Sequence, residues 1–134
     1  MSRFVENLRS LLSKHFVIRD EEMGEQVVSV WRAMGLDLSA ERPLTIHIML
    51  PNEDSAMELA FRAEGLPAFF GARVSQTDEM NGMNTELTLT FFMLPQAETL
   101  DTLERLITAM GADLGAMADG WSSDTIIDHA TRAA

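Results

Sequence analysis

The chain has 134 residues, 46% of them hydrophobic and 23% charged, the size and balance of one globular domain with enough apolar mass for a core. It contains no cysteine, which excludes disulfides, thiol catalysis and thiolate-bound metals. The net charge of −11 is uneven: residues 1–19 carry +3, and the remainder, with six basic and twenty acidic residues, carries −14. That acidic remainder repels phosphate backbones and suits a basic partner. The N-terminus has no continuous apolar run of the signal-peptide kind, and no stretch is long and apolar enough to span a bilayer. A cytoplasmic protein is therefore expected.

In chain order, residues 3–16 place Phe4, Leu8, Leu11, Leu12 and Phe16 on one helical stripe, with Arg3, Arg9 and Lys14 outside it. A second helix is predicted over about residues 20–35, with Met23, Val27, Val30, Trp31 and Met34 inward and Gly35 as its stop. After Arg42-Pro43 the period changes to two. Leu44, Ile46, Ile48 and Leu50 alternate with Thr45, His47 and Met49, a strand with one strongly apolar face. Asn52 caps the next helix, whose inner face holds Leu59, Ala60 and Ala63, and Gly65 closes it.

Asn81-Gly82 predicts a tight hairpin, because both central positions of a type I′ turn need positive φ. Starting from Met80 opposite Met83, that turn pairs Val74 with Leu89, Ala72 with Phe91 and Phe70 with Met93 on an apolar face. The opposite face then pairs Ser75 with Thr88, Arg73 with Thr90 and Gly71 with Phe92. Pro95 opens the last long helix, with Leu100, Leu103, Leu106, Ile107 and Met110 inward and Gly111 as its stop. A final strand runs through Ala118 towards Trp121, and Ser123 can cap a short helix holding Ile126 and Ile127.

From residue 43 the order is β-α-β-β-α-β. This is the α+β, ferredoxin-like sandwich, a four-stranded antiparallel sheet with two helices on one face, here with extra N-terminal helices. The expected organisation is an N-terminal helical extension over residues 1–42 and the sandwich over residues 43–134. Alternation puts Thr45, His47, Met49, Phe69, Arg73, Thr88, Thr90, Phe92, Met117 and Trp121 on the sheet face away from the two helices. A bare face with these aromatics is an apolar patch that a monomer avoids, so the N-terminal helices, another chain or stacked bases are the three candidate covers. The acidic charge, opposed on this face only by Arg73, argues against RNA.

Little catalytic chemistry is available. His15, His47 and His129 fall in three different elements, and there is neither a phosphate-binding glycine loop nor a nucleophile elbow. Asp124, Asp128 and His129 lie within about a turn of one another, but as solvated positions on a short helix they are expected to hold no metal. No cofactor is expected. His47 near Arg73 reads as a surface hydrogen-bonding histidine rather than half of a catalytic pair.

Asp119-Gly120-Trp121 is read as an irregularity at the end of the last strand, since no strand-like segment follows it, with Trp121 aimed at the non-helical face. With this element order, the Asp-Gly-Trp resembles the RraB family, regulators of ribonuclease E, over about residues 20–128. In that family the motif is closer to Tyr-Asp-Gly-Trp-Gly; here Ala118 stands for the tyrosine and Ser122 for the second glycine. The best-known members end in a long acidic tail, whereas this chain ends DHATRAA and carries the basic segment 1–16 in front. The resemblance implies a cytoplasmic, non-enzymatic protein that binds a ribonuclease E-type enzyme and alters RNA decay, without binding nucleic acid itself. The interaction surface expected from the residues comprises His47, Phe69, Arg73, Phe92, Asp119, Gly120 and Trp121. The alternative is a small-ligand or enzymatic site on the same sheet face, since the fold hosts many activities. Oligomeric state is not legible in the sequence.

Overall fold

A computed structural model of the chain describes residues 23–123. The amphipathic pattern expected over residues 3–16 and the short terminal helix expected around Ile126 and Ile127, with Asp124, Asp128 and His129, fall outside the described residues. Helix α1 spans Gly24–Ala33, strand β1 Arg42–Leu50, helix α2 Glu53–Ala63, β2 Phe69–Met80, β3 Met83–Met93, α3 Ala97–Met110 and β4 Met117–Ser123. The sheet order is β2-β3-β1-β4 with every neighbouring pair antiparallel, the expected ferredoxin-like arrangement.

β1 and β3 form the centre because both alternate cleanly. Leu44, Ile46, Ile48 and Leu50 are at most 1% exposed, and Leu87, Leu89 and Phe91 are fully buried beside them. Each such side chain contributes about 1.5–3 kcal/mol through burial. All three described helices pack into this one cluster, through Val28 and Trp31 of α1, Ala56, Leu59 and Ala63 of α2, and Leu100, Leu103, Leu106 and Ile107 of α3. α2 begins where Asn52 accepts a hydrogen bond from the Ser55 N–H at 2.8 Å, the predicted cap.

α1 is rotated from its expected stripe. Gly24, Val28 and Trp31 are its buried residues, whereas Met23, Val30 and Met34 are exposed. The reason is at its first turn: the Gly24 N–H donates to the Asp101 carboxylate of α3 at 2.7 Å. A β-carbon on Gly24 would collide with the Ala97 carbonyl oxygen, so α1 crosses α3 at a distance only glycine permits. The helix turns its glycine, not Met23, to its neighbour.

The hairpin turn has the predicted conformation, with φ of 55° at Asn81 and 80° at Gly82, and Met80 faces Met83. Beyond it the expected register fails. Between Gln76 and Met80 the β2 strand holds two more residues than β3, so Val74 pairs with Leu87 and Ala72 with Leu89. A shift of two preserves which face each residue occupies. A second irregularity, one residue long, lies between Phe69 and Gly71, and it reverses the face. Phe69, expected on the open face, instead packs edge-on against buried Phe91, with ring centroids 5.9 Å apart. Phe70, expected inward opposite Met93, is 66% exposed beside Phe92, while Met93 is buried opposite Arg42.

β4 contains the third irregularity. Met117 faces Met49 and Ala118 faces Ile48, but Gly120, not Asp119, faces His47. Asp119 is the inserted residue, and Gly120 takes φ of 118°, a conformation open to glycine. Every later residue changes face. Trp121 therefore pairs with Ile46 and packs on the helix-side core, overturning its expected place on the open face.

Candidate functional site

The sheet face opposite the helices is built by alternation and by these three irregularities. β1 contributes Thr45, His47 and Met49, β3 contributes Glu86, Thr88, Thr90 and Phe92, and β2 contributes Phe70, Arg73 and Ser75. β4 supplies Met117 and Ser122. The bulge at Asp119-Gly120 replaces Trp121 by Ser122 on this face, and it leaves a residue without a side chain directly opposite His47.

A polar chain crosses three strands at the centre. The Ser122 hydroxyl lies 2.7 Å from His47 Nε2, and His47 Nδ1 lies 3.4 Å from Glu86 Oε2. Both His47 and Glu86 side chains are 27% exposed, so the pair is accessible yet partly shielded. One strand position away, the Thr45 and Thr90 hydroxyls hydrogen-bond across β1 and β3 at 2.8 Å. Together with Phe70, Arg73 and Thr88 these residues line a shallow groove of about 560 Å³. His47 and Arg73 share that groove as expected, but the groups that His47 contacts are Ser122 and Glu86.

The ends of the face are apolar. Phe70 and Phe92 stack at a tilt with centroids 6.2 Å apart and are 66% and 44% exposed. Met117, 55% exposed, stands beside Met49 at the far end. Of the residues expected on the interaction surface, the structure brings His47, Arg73, Phe92 and Gly120 to this face and turns Phe69 and Trp121 away from it. Glu86, Ser122 and Phe70 were missed. Glu86 was legible from the alternation of β3, whereas the other two depend on inserted residues, for which a glycine inside a strand pattern is the available signal.

A second polar cluster lies on the helix side. Arg62 of α2 donates to both Asp113 carboxylate oxygens, at 2.7 and 3.1 Å, to the Met110 carbonyl at 2.8 Å and to Glu58 at 3.1 Å. These bonds tie α2 to the end of α3. The hydrogen bonds from Arg62 hold the Asp113 carboxyl below the usual carboxylate range. Among the described residues no group of three or more histidine, aspartate or glutamate side chains could hold a metal ion, and no helix is long and apolar enough to cross a membrane.

Residues 21–123 match the family described as RraB, Regulator of ribonuclease activity B. No curated protein matches the chain closely enough to report.

Proposed function

The chain belongs to the RraB family of ribonuclease regulators, and from that premise we propose that it binds a ribonuclease E-type enzyme and modulates RNA decay, without catalysis of its own. The observation that carries this reading is the open sheet face, where Phe70, Phe92 and Met117 stand exposed around a polar centre. Exposed apolar side chains gathered on one sheet face mark a protein interface, because a solvated domain otherwise avoids such a patch. The described residues carry five basic against fifteen acidic side chains, a net of −10, which favours a basic protein segment over RNA. On this reading the protein works in the cytoplasm, alongside its partner.

The test is binding of the purified chain to such an endoribonuclease, paired with the cleavage rate of a defined RNA. Replacing Phe70 and Phe92 by Ser should weaken binding at least tenfold and restore cleavage, with the circular dichroism unchanged because both rings are exposed. Equal binding by the variant and the parent would remove this face from the interface.

A second reading is favoured by the Ser122–His47–Glu86 chain in its groove, which has the hydroxyl–imidazole–carboxylate order of an activated nucleophile. It would make the face a small-ligand or hydrolytic site. His47→Ala separates the two: loss of regulation in a folded variant that still binds the ribonuclease favours the groove, and retained regulation favours the interface.

A further inference from the structure

We propose that the outward face of α2, centred on Met57 and Phe61, is a second docking surface, and that it takes a basic amphipathic segment of a protein partner. Phe61 is 74% exposed, the most of any large apolar side chain among the described residues, and Met57 is 56% exposed. Four positions apart, the two stand on successive turns of one helix face. Core packing does not account for them. Leu59 and Ala63, two residues to either side of Phe61, are fully buried, and two residues along a helix is a rotation of about 200°. Phe61 therefore lies on the line of α2 farthest from the core, where an amphipathic surface helix carries polar residues.

Charge identifies the occupant. α2 and its C-cap carry Glu53, Asp54, Glu58 and Glu64 against the single cation Arg62, four negative and one positive for a net of −3. Glu53 and Asp54 precede Met57 by four and three positions, and Glu58 and Glu64 stand three positions to either side of Phe61. At that spacing helical side chains are neighbours, so carboxylates rim the apolar pair. Arg62 is committed elsewhere, to both Asp113 oxygens, the Met110 carbonyl and Glu58.

Helix stability explains only part of that rim. Glu53 and Asp54 occupy the first turn, where the helix dipole favours a carboxylate, whereas Glu64 caps the opposite end, where the dipole opposes one. An apolar centre with an acidic rim is complementary to a segment whose apolar side chains are flanked by lysine or arginine. Two copies of the chain would bring like rims together, and an anionic lipid surface would be repelled.

α2 packs on the helix side of the sheet through Ala56, Leu59 and Ala63, so its outer face and the Phe70/Phe92 face point in opposite directions. Both can be occupied at once. The α2 surface does not depend on the ribonuclease reading, and either can fail alone.

The probe is a synthetic leucine–lysine peptide with its leucines at helical spacing, titrated into the isotopically enriched full-length protein. The largest amide shifts are expected at Met57, Phe61 and Glu64. Met57→Ser with Phe61→Ser should weaken binding about tenfold or more, with the circular dichroism unchanged because both side chains are exposed. Glu64→Lys should weaken it by a salt-dependent amount, while Phe70→Ser with Phe92→Ser should leave it intact. Equal affinity of the parent and the α2 double variant, or no binding at all, would overturn the proposal. So would shifts centred on Phe70 and Phe92, which would place the peptide on the open sheet face instead. Concentration-dependent shifts at Met57 and Phe61 without peptide would assign the surface to a second copy. Binding to phosphatidylcholine vesicles that the α2 double variant loses would assign it to lipid.

Discussion

Asp119 and Gly120 decide what the last strand shows to each side. Because Asp119 is inserted into the ladder, Trp121 joins Ile46 inside and Ser122 reaches His47 outside. Removing Asp119 should restore plain alternation and turn Trp121 outward. In a Trp31→Phe background, which leaves Trp121 as the single tryptophan, the deletion is expected to red-shift the emission and increase iodide quenching. An unchanged emission maximum would show that the bulge does not control the facing of Trp121. Trp121→Ala should cost about 2–3 kcal/mol in thermal or denaturant unfolding, short of the 3–5 kcal/mol of a fully buried aromatic, because the ring is only partly covered. Gly120→Ala meets no atom within 4 Å, so its cost is conformational, about 1–2 kcal/mol for forcing an L-residue into positive φ.

At the scale of elements, the two central strands and the three described helices were legible because their patterns are unbroken. Leu44 to Leu50 alternate without exception, and the α3 stripe from Leu100 to Ile107 keeps its helical period. The hairpin was legible only at its tip. Asn81-Gly82 fixes the pairing of Met80 with Met83, but Thr77, Asp78 and Glu79 are all exposed and contribute no burial to hold the register beyond them. Packing supplies the register instead: one of the adjacent Phe69 and Phe70 must enter the core, and the inserted residue selects Phe69. Neighbouring aromatics have no alternation from which to choose. The facing of α1 was illegible for a related reason, since an amphipathic pattern weighs Met23 above Gly24 and contains nothing about a helix crossing. Gly24→Ala tests that crossing. Its methyl would meet the backbone of Ala97, and overpacking of this kind costs about 1–3 kcal/mol. Amides from Val28 to Ala33 should lose hydrogen-exchange protection while those of β1 keep theirs. Uniform loss across both would mean that α1 and the sheet unfold as one unit.

For the molecule as a whole, charge sets how stability responds to solution conditions. A net of −10 over the described residues is self-repulsive, and the screening length falls from about 30 Å at 0.01 M salt to about 8 Å at 0.15 M. The melting temperature at pH 7 should therefore rise over that interval. Acid acts in two opposed ways. Lowering the pH from 7 towards 5 begins to protonate carboxylates, which relieves the repulsion, so stability should first increase at low salt. Asp113 works in the other direction. Arg62 holds its folded pKa below the ordinary value of about 3.9. Its contribution is therefore fully present above the unfolded pKa and is lost as the pH falls through the folded one. Asp37 behaves alike, lowered by hydrogen bonds from the Ser39 hydroxyl and N–H. The expected profile has its maximum on the acidic side of neutrality and a descending limb below about pH 4. Asp113→Asn should shallow that limb without moving the low-salt rise, because the rise belongs to the summed charge and the limb partly to one ion pair. A limb of unchanged slope in the variant would show that the tie between α2 and the end of α3 adds nothing to stability in acid.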